Sequence, residues 1–219
     1  MIELAHHLVD FVLHIDRHLQ EIIAQYGLWT YALLFFIIFA ETGFVVTPFL
    51  PGDSLLFAAG ALCAGSVMNV HVLAVALTAA AVLGNLLNYA IGAFVGPKVF
   101  SREDSWLLRR KHLERAHAFF EKYGGRSIIL SRFVPIVRTF VPFVAGVGRM
   151  PYARFFSFNL LGGAVWIYLL TYLGYFFGGT ELVRKNFSLV IVAIIVISVL
   201  PIGFELLRAW RDSRRGTPA

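Results

Sequence analysis

The chain has 219 residues, 58% of them hydrophobic and only 15% charged, with a mean hydropathy of +0.75. A soluble domain of this length is closer to half apolar and a quarter charged, so the composition argues against a water-soluble globular fold. The single cysteine, Cys63, excludes an intramolecular disulfide and a cysteine-cluster metal site. The net charge of +6 fits the basic cytoplasmic loops of a membrane protein better than it fits nucleic-acid binding.

Residues 1–26 pattern as an amphipathic helix, with Ile2, Leu8, Phe11, Val12, Ile15 and Leu19 at helical spacing and Asp10, Asp16, Arg17 and Glu21 between them. The apolar runs are too short to span, which predicts an interfacial helix. His14 and His18 stand at i, i+4, beside His6 and His7, but no carboxylate–histidine pattern accompanies them, so no metal is expected. The start MIELAHHLVD has neither a basic n-region nor a cleavage site, so no removed signal peptide is expected.

Residues 28–46 are apolar apart from Glu41 and two threonines, and residues 70–95 apart from His71, Asn85 and Asn88. Residues 155–178 carry no charge, and residues 187–207 carry only Glu205 near their end. The last three stretches can each cross about 30 Å of hydrocarbon. The first can do so only if Glu41 lies near its end or faces protein.

Two stretches fit neither a spanning helix nor a loop: TPFLPGDSLLFAAGAL at 47–62 and SRFVPIVRTFVPFVAGVG at 131–148. Pro48 and Pro51 are expected to break the first, and Pro135 and Pro142 the second. Short broken apolar segments at membrane depth persist only when buried in protein or lining a wet cavity, so both read as re-entrant helical hairpins. Gly52 after Pro51 reads as the tight turn that aims Asp53. Phe49-Leu50-Pro51 leading to Phe57-Ala58-Ala59-Gly60 is echoed by Phe133-Val134-Pro135 leading to Phe143-Val144-Ala145-Gly146. Paired broken segments in corresponding halves are the pattern of a transporter with internal repeats.

Charge bias sets the expected topology. Residues 97–126 hold Lys98, Arg102, Arg109, Arg110, Lys111, Arg115, Lys122 and Arg126, and the tail at 208–219 holds Arg208, Arg211, Arg214 and Arg215. Both are expected to be cytoplasmic, which puts both termini inside, the first hairpin entering from outside and the second from inside. Within the link, Trp106, Leu113, Ala116, Phe120 and Tyr123 form an apolar stripe that predicts a helix lying on the inner leaflet. The chain is thus expected to be one all-α polytopic membrane domain, 1–219. Its parts are an interfacial helix at 1–26, half-repeats at 28–95 and 127–207, the link at 97–126 and the basic tail.

Glu41, Asp53, Arg132 and Arg138 carry the chemistry. A charge at the centre of a membrane helix costs about 2.5–3.5 kcal/mol, so four unpaired charges would cost roughly 10–14 kcal/mol, comparable with a whole domain's stability. They must pair, reach water, or both. The signs balance, two negative from the first half and two positive from the second, and the simplest arrangement faces the carboxylates with the guanidiniums. Arginine forks suit a phosphate headgroup and carboxylates suit proton exchange. Asn85, Asn88 and Tyr89 are candidate polar lining, or interhelical hydrogen-bonding groups. Gly162, Gly163 and Gly174 read as packing residues, and Trp166, Tyr168, Tyr172 and Tyr175 as ordinary helix and interface aromatics. No phosphate-binding loop, dinucleotide fingerprint, zinc motif or nucleophile elbow is present, so neither an enzyme nor a cofactor is expected.

The run Glu41-Thr-Gly through Phe49-Leu-Pro-Gly-Asp-Ser-Leu-Leu resembles the bacterial DedA family. So do Arg132-Phe-Val-Pro-Ile-Val-Arg138, Val144-Ala-Gly146 and Asn159-x-x-Gly162-x-x-x-Trp166. The resemblance implies an inverted-repeat protein of the bacterial inner membrane with two re-entrant hairpins, in which Glu41, Asp53, Arg132 and Arg138 match the family's functional positions. It also implies movement of lipid between leaflets, notably the undecaprenyl phosphate carrier, so the expected partner is a lipid with an anionic phosphate headgroup, with protons as a second ligand. Family members tend to carry aspartate where this chain has Asn85, which leaves any proton handling to Glu41 or Asp53. Two other readings stay open: a proton-coupled ion or small-solute transporter, and a non-transporting scaffold whose four charges only fix the packing. The lipid, the energy source and whether the chain forms a homo-oligomer are left open.

Overall fold

The computed structural model describes residues 26–44, 52–64, 68–99, 120–121 and 123–178, with isolated positions between 180 and 194. The expected interfacial helix, its histidines, Pro48 and Pro51, most of the basic link, most of the last span and the basic tail lie outside the described residues. Among the described residues the fold is all-α. Its helices are α1 (Trp29–Gly43), α2 (Gly52–Cys63), α3 (Val70–Val99), α4 (Ser127–Ser131), α5 (Pro135–Val147) and α6 (Tyr152–Gly178), with a 3-10 turn at Gly124–Arg126 before α4. Two segments are long and apolar enough to cross a membrane, Val70–Val95 and Tyr152–Gly178.

The helix boundaries follow local chemistry. Asn69 caps α3: its Oδ1 accepts from the backbone N–H of His71 at 2.9 Å and of Val72 at 3.3 Å, satisfying donors that a helix start leaves open. The phenol of Tyr31, on α1, accepts from the Asn69 N–H at 2.6 Å and ties α1 to that cap. Between α4 and α5 the helix breaks at Arg132-Phe133-Val134. Val134 is extended, with φ −120° and ψ 101°, as the residue before a proline prefers to be. Pro135 then opens α5 at a position where its missing N–H removes no helical bond.

Pro142 departs from expectation. It lies inside α5 and does not break it. A proline here removes the helical donor to the Arg138 carbonyl and crowds it, yet the helix runs through it, packed closely on α3. The break in this segment therefore comes from Pro135 alone.

The packing crosses between the two halves of the chain. α2 lies on α6, where Gly60 meets the Thr171 carbonyl and Gly174 meets the Phe57 carbonyl. α5 lies on α3, where Gly146 meets the Tyr89 carbonyl and Gly92 meets the Phe143 carbonyl. In each pair a Cβ on either glycine would collide with backbone of the facing helix, so these are approaches that only glycine permits. Gly146, expected to support the geometry of the second hairpin, makes a close helix contact on α3. The spacing is the same in both pairs: phenylalanine and glycine three apart on the short helix, residue and glycine three apart on the long one.

Buried side chains form two clusters. One contains Leu34, Ile38, Leu56, Leu73, Leu77, Trp166 and Ile167. The other contains Ile128, Val141, Phe143, Val144 and Phe155. Large apolar side chains also cover the outside, among them Trp29, Phe36, Phe94, Leu161 and Phe176. So extensive an exposed apolar surface is unstable in water and suits hydrocarbon.

Candidate functional site

Glu41 lies in the last turn of α1 and Asp53 in the first turn of α2. The C-terminal end of a helix disfavours a carboxylate, whereas the N-terminal end favours one. The Glu41 carboxylate resolves this by leaning across to the start of α2, where it lies directly against Gly52. A Cβ at position 52 would occupy the space of that carboxylate. Gly52 opens α2 and permits this close approach, while the turn expected at Pro51-Gly52 runs into residues outside the described ones.

One guanidinium serves both acids. Arg138, in the first turns of α5, donates from Nη1 to Asp53 Oδ1 at 2.9 Å and from Nη2 to Glu41 Oε1. The Glu41 and Arg138 side chains are 1% and 8% exposed, and that of Asp53 20%. Three segments distant in sequence thus meet within one ion-pair network.

Arg132 does not complete a second ion pair, contrary to the simplest expectation of two carboxylates facing two guanidiniums. Its Nη2 donates to Asn159 Oδ1 at 2.8 Å and to the Ala81 carbonyl at 3.2 Å. Its Nε has no acceptor among the described residues. The reason is geometric: Arg132 sits in the break before α5, next to the α3–α6 junction. Gly163 leaves room there, since a Cβ on it would stand 3.5 Å from Nη2.

Asn159 and Trp166 complete the cluster from one face of α6. The Asn159 side-chain carbonyl also accepts from Asn85 Nδ2 at 3.0 Å, and its amide donates to the Val82 carbonyl at 3.0 Å. Trp166 donates from Nε1 to Asp53 Oδ1 at 2.9 Å. Its ring centroid lies 5.6 Å from the Arg132 guanidinium carbon and 5.3 Å from that of Arg138, within cation–π range for both. Trp166 is therefore not the interface aromatic the sequence suggested. The available signal was spacing: Asn159, Gly162, Gly163 and Trp166 share one helical face in a segment without charge.

The remaining candidates divide. Asn85 joins the cluster through Asn159. Asn88 donates to the Thr139 carbonyl at 2.8 Å and the Thr42 carbonyl at 3.3 Å, pinning α3 to the ends of α1 and α5 near the acids. Tyr89 points elsewhere, donating to the Met150 carbonyl at 2.5 Å and stacking on Phe155. Among the described residues no group of three or more metal-ligating side chains occurs.

Comparison with known proteins places this cluster in a family. A family model described as the VTT domain matches residues 50–176, a stretch that contains Asp53, Arg132, Arg138, Asn159 and Trp166. The chain is 53% identical over 215 residues to Protein DedA of Escherichia coli, covering 97% of this chain and 98% of the relative. The chain belongs to the VTT-domain, or DedA, family. It is also 45% identical over 184 residues to an uncharacterized membrane protein of Mycobacterium tuberculosis, covering 83% of this chain and 80% of that protein. With Inner membrane protein YqjA of Escherichia coli it shares 35% identity over 187 residues, covering 83% and 84%. No solved structure matches the chain. As a DedA-family member it is a membrane protein, consistent with its two long apolar helices and apolar exterior.

Proposed function

We propose that this protein carries a lipid with a phosphate headgroup, undecaprenyl phosphate or a related phospholipid, between the leaflets of the bacterial inner membrane, without enzyme chemistry. The observation that carries the reading is the unequal state of the two buried arginines. Arg138 is engaged by two carboxylates, whereas the hydrogen bonds of Arg132 among the described residues go to a neutral amide and a carbonyl. An anion gains most from the arginine whose charge is uncompensated at close range. A phosphate headgroup therefore engages Arg132, then competes with a carboxylate for Arg138. Protonation of that carboxylate would ease its release and link transfer to protons.

The re-entrant hairpins and the inverted repeat belong to this reading. In it α2 belongs to the first hairpin, 47–62, and α5 to the second, 131–148, and each packs on the long helix of the opposite half. The matched glycine approaches, Gly60 and Gly174 on one side and Gly146 and Gly92 on the other, support it. The first hairpin then enters from outside and the second from inside, with both termini cytoplasmic by the bias of lysine and arginine.

One observation favours a scaffold instead: Glu41 and Arg132 are 1% and 2% exposed, so a headgroup reaches Arg132 only after the helices part. Flipping of a labelled polyprenyl phosphate in reconstituted vesicles, with and without a pH gradient, separates the readings. Transfer that is lost in Arg132→Ala, in protein that remains folded, is the expected result. No transfer by the wild type would sink the translocase, and equal transfer by both would remove Arg132 from its mechanism.

A further inference from the structure

Oδ1 of Asp53 receives two donors, Arg138 Nη1 at 2.9 Å and Trp166 Nε1 at 2.9 Å. An indole N–H can only donate, and Trp166 is 2% exposed, so the protein needs an oxygen at this point in whatever conformation it adopts. The two donors stand on α5 and α6, and the acceptor on α2. Asp53 is also the outermost of the three acidic and basic groups in the ion-pair network, at 20% exposure against 8% for Arg138 and 1% for Glu41. When Asp53 swings away, Arg138 keeps Glu41 as a partner, but the indole N–H and Nη1 are left converging on a vacated oxygen position. An arginine N–H and a second fixed N–H aimed at one oxygen form a recognition unit for an oxyanion. Both guanidinium carbons lie close to the same indole ring, at 5.6 and 5.3 Å from its centroid, so an anion seated beside that ring is near two positive charges.

We propose that Trp166 is a ligand-binding residue: its Nε1–H and Arg138 Nη1 form a two-donor seat for one oxygen of a phosphate monoester, a seat that the Asp53 carboxylate fills at rest. The proposal deepens the lipid-phosphate reading and rests on it. Asp53 then acts as a stand-in for the ligand, which keeps the donors satisfied while the site is empty of lipid.

The test uses the full chain in nanodiscs and Trp166→Phe, which keeps an aromatic ring beside both arginines but removes the N–H together with part of the indole. Binding of phosphatidic acid, phosphatidylcholine and inorganic phosphate is measured, alongside transfer of fluorescent phosphatidic acid in proteoliposomes. The N–H serves Asp53 at rest and the more highly charged phosphate oxygen when lipid is bound, so its loss predicts up to about tenfold weaker binding of phosphatidic acid, with phosphatidylcholine binding unchanged. The same drop for inorganic phosphate supports the seat and assigns it to phosphate from either source; a drop for phosphatidic acid alone supports it and assigns it to the lipid. Unchanged affinity in Trp166→Phe, equal weakening for phosphatidylcholine, or no phosphate binding by the wild type overturns it. Wild-type binding that is weakened in the variant, without any transfer, upholds the seat and removes the translocase. Transfer that the variant leaves intact does the reverse. If Trp166→Phe does not fold, Trp29→Phe/Trp106→Phe/Trp210→Phe leaves Trp166 as the sole fluorophore. Its emission must then shift saturably with phosphatidic acid and not with phosphatidylcholine, and unshifted emission overturns the proposal.

Discussion

Glu41, from the end of α1, and Asp53, from the start of α2, meet on a single guanidinium, that of Arg138. Both acids are hydrogen-bonded to one base, while the second base is hydrogen-bonded to neither acid and its Nε has no acceptor among the described residues. On the proposed function, that inequality is what would give the cluster its capacity for an anion.

Removing the shared base should be the most damaging change. Breaking a buried ion pair by deleting one partner costs about 3–5 kcal/mol, because the remaining charge is left without compensation. Arg138→Met is expected to lower stability by about that amount, and Arg138→Met/Glu41→Gln to recover part of it. Thermal unfolding in detergent, followed by helix content, measures both.

Asn159 offers a way to occupy Arg132 without unfolding the protein. Asn159→Asp keeps the oxygen that Arg132 Nη2 uses and adds a charge to it. The variant is expected to stay folded and to transfer lipid phosphate at least about tenfold more slowly, since an ionised acceptor holds an arginine more strongly than a neutral one does. Asn159→Leu leaves the Asn85 and Arg132 donors unsatisfied and should cost about 1–3 kcal/mol per donor. Proteoliposome transfer and thermal melts separate the two effects.

Gly52 and Glu41 should be coupled. A methyl group at position 52 displaces the Glu41 carboxylate, so Gly52→Ala is expected to impair transfer and to lower stability. In a Glu41→Ala background the same substitution should have little effect. A double-mutant cycle on melting temperature reads this directly, and a coupling energy near zero would show that the contact does not matter.

The two glycine crossings should respond alike. Gly60→Val and Gly146→Val each drive a branched side chain into a backbone carbonyl of the facing helix, that of Thr171 or Tyr89. Overpacking of this kind typically costs about 1–3 kcal/mol or more. Expression level and protease resistance should fall in both variants, and tolerance of either would argue against the matched packing.

The membrane class, the long helices and the four ionisable residues were legible in the sequence, because hydropathy and charge are local properties that a bilayer reads directly. Proline was only half legible. Pro135 starts a helix as its ring requires, but Pro142 was held inside one by contacts between α5 and α3 that no local pattern reveals. Gly52 and Gly146 stood out in the motifs as hairpin residues, and the structure adds a close approach at each. Glycine is selected both by unusual backbone angles and by close approach, and a single sequence does not separate the two.

By itself, then, the sequence required two acids and two arginines in apolar stretches to pair, reach water, or both, since four unpaired charges in a bilayer would cost as much as a whole domain's stability. Only the tertiary structure decided who pairs with whom. That choice depends on distances between side chains on different helices: Arg138 reaches both acids, Arg132 is turned toward Asn159 and the Ala81 carbonyl, and Trp166 stands beside three of the four charges. Coulomb and hydrogen-bond energies fall off over a few ångströms, so their assignment waits on packing that charge counting cannot supply.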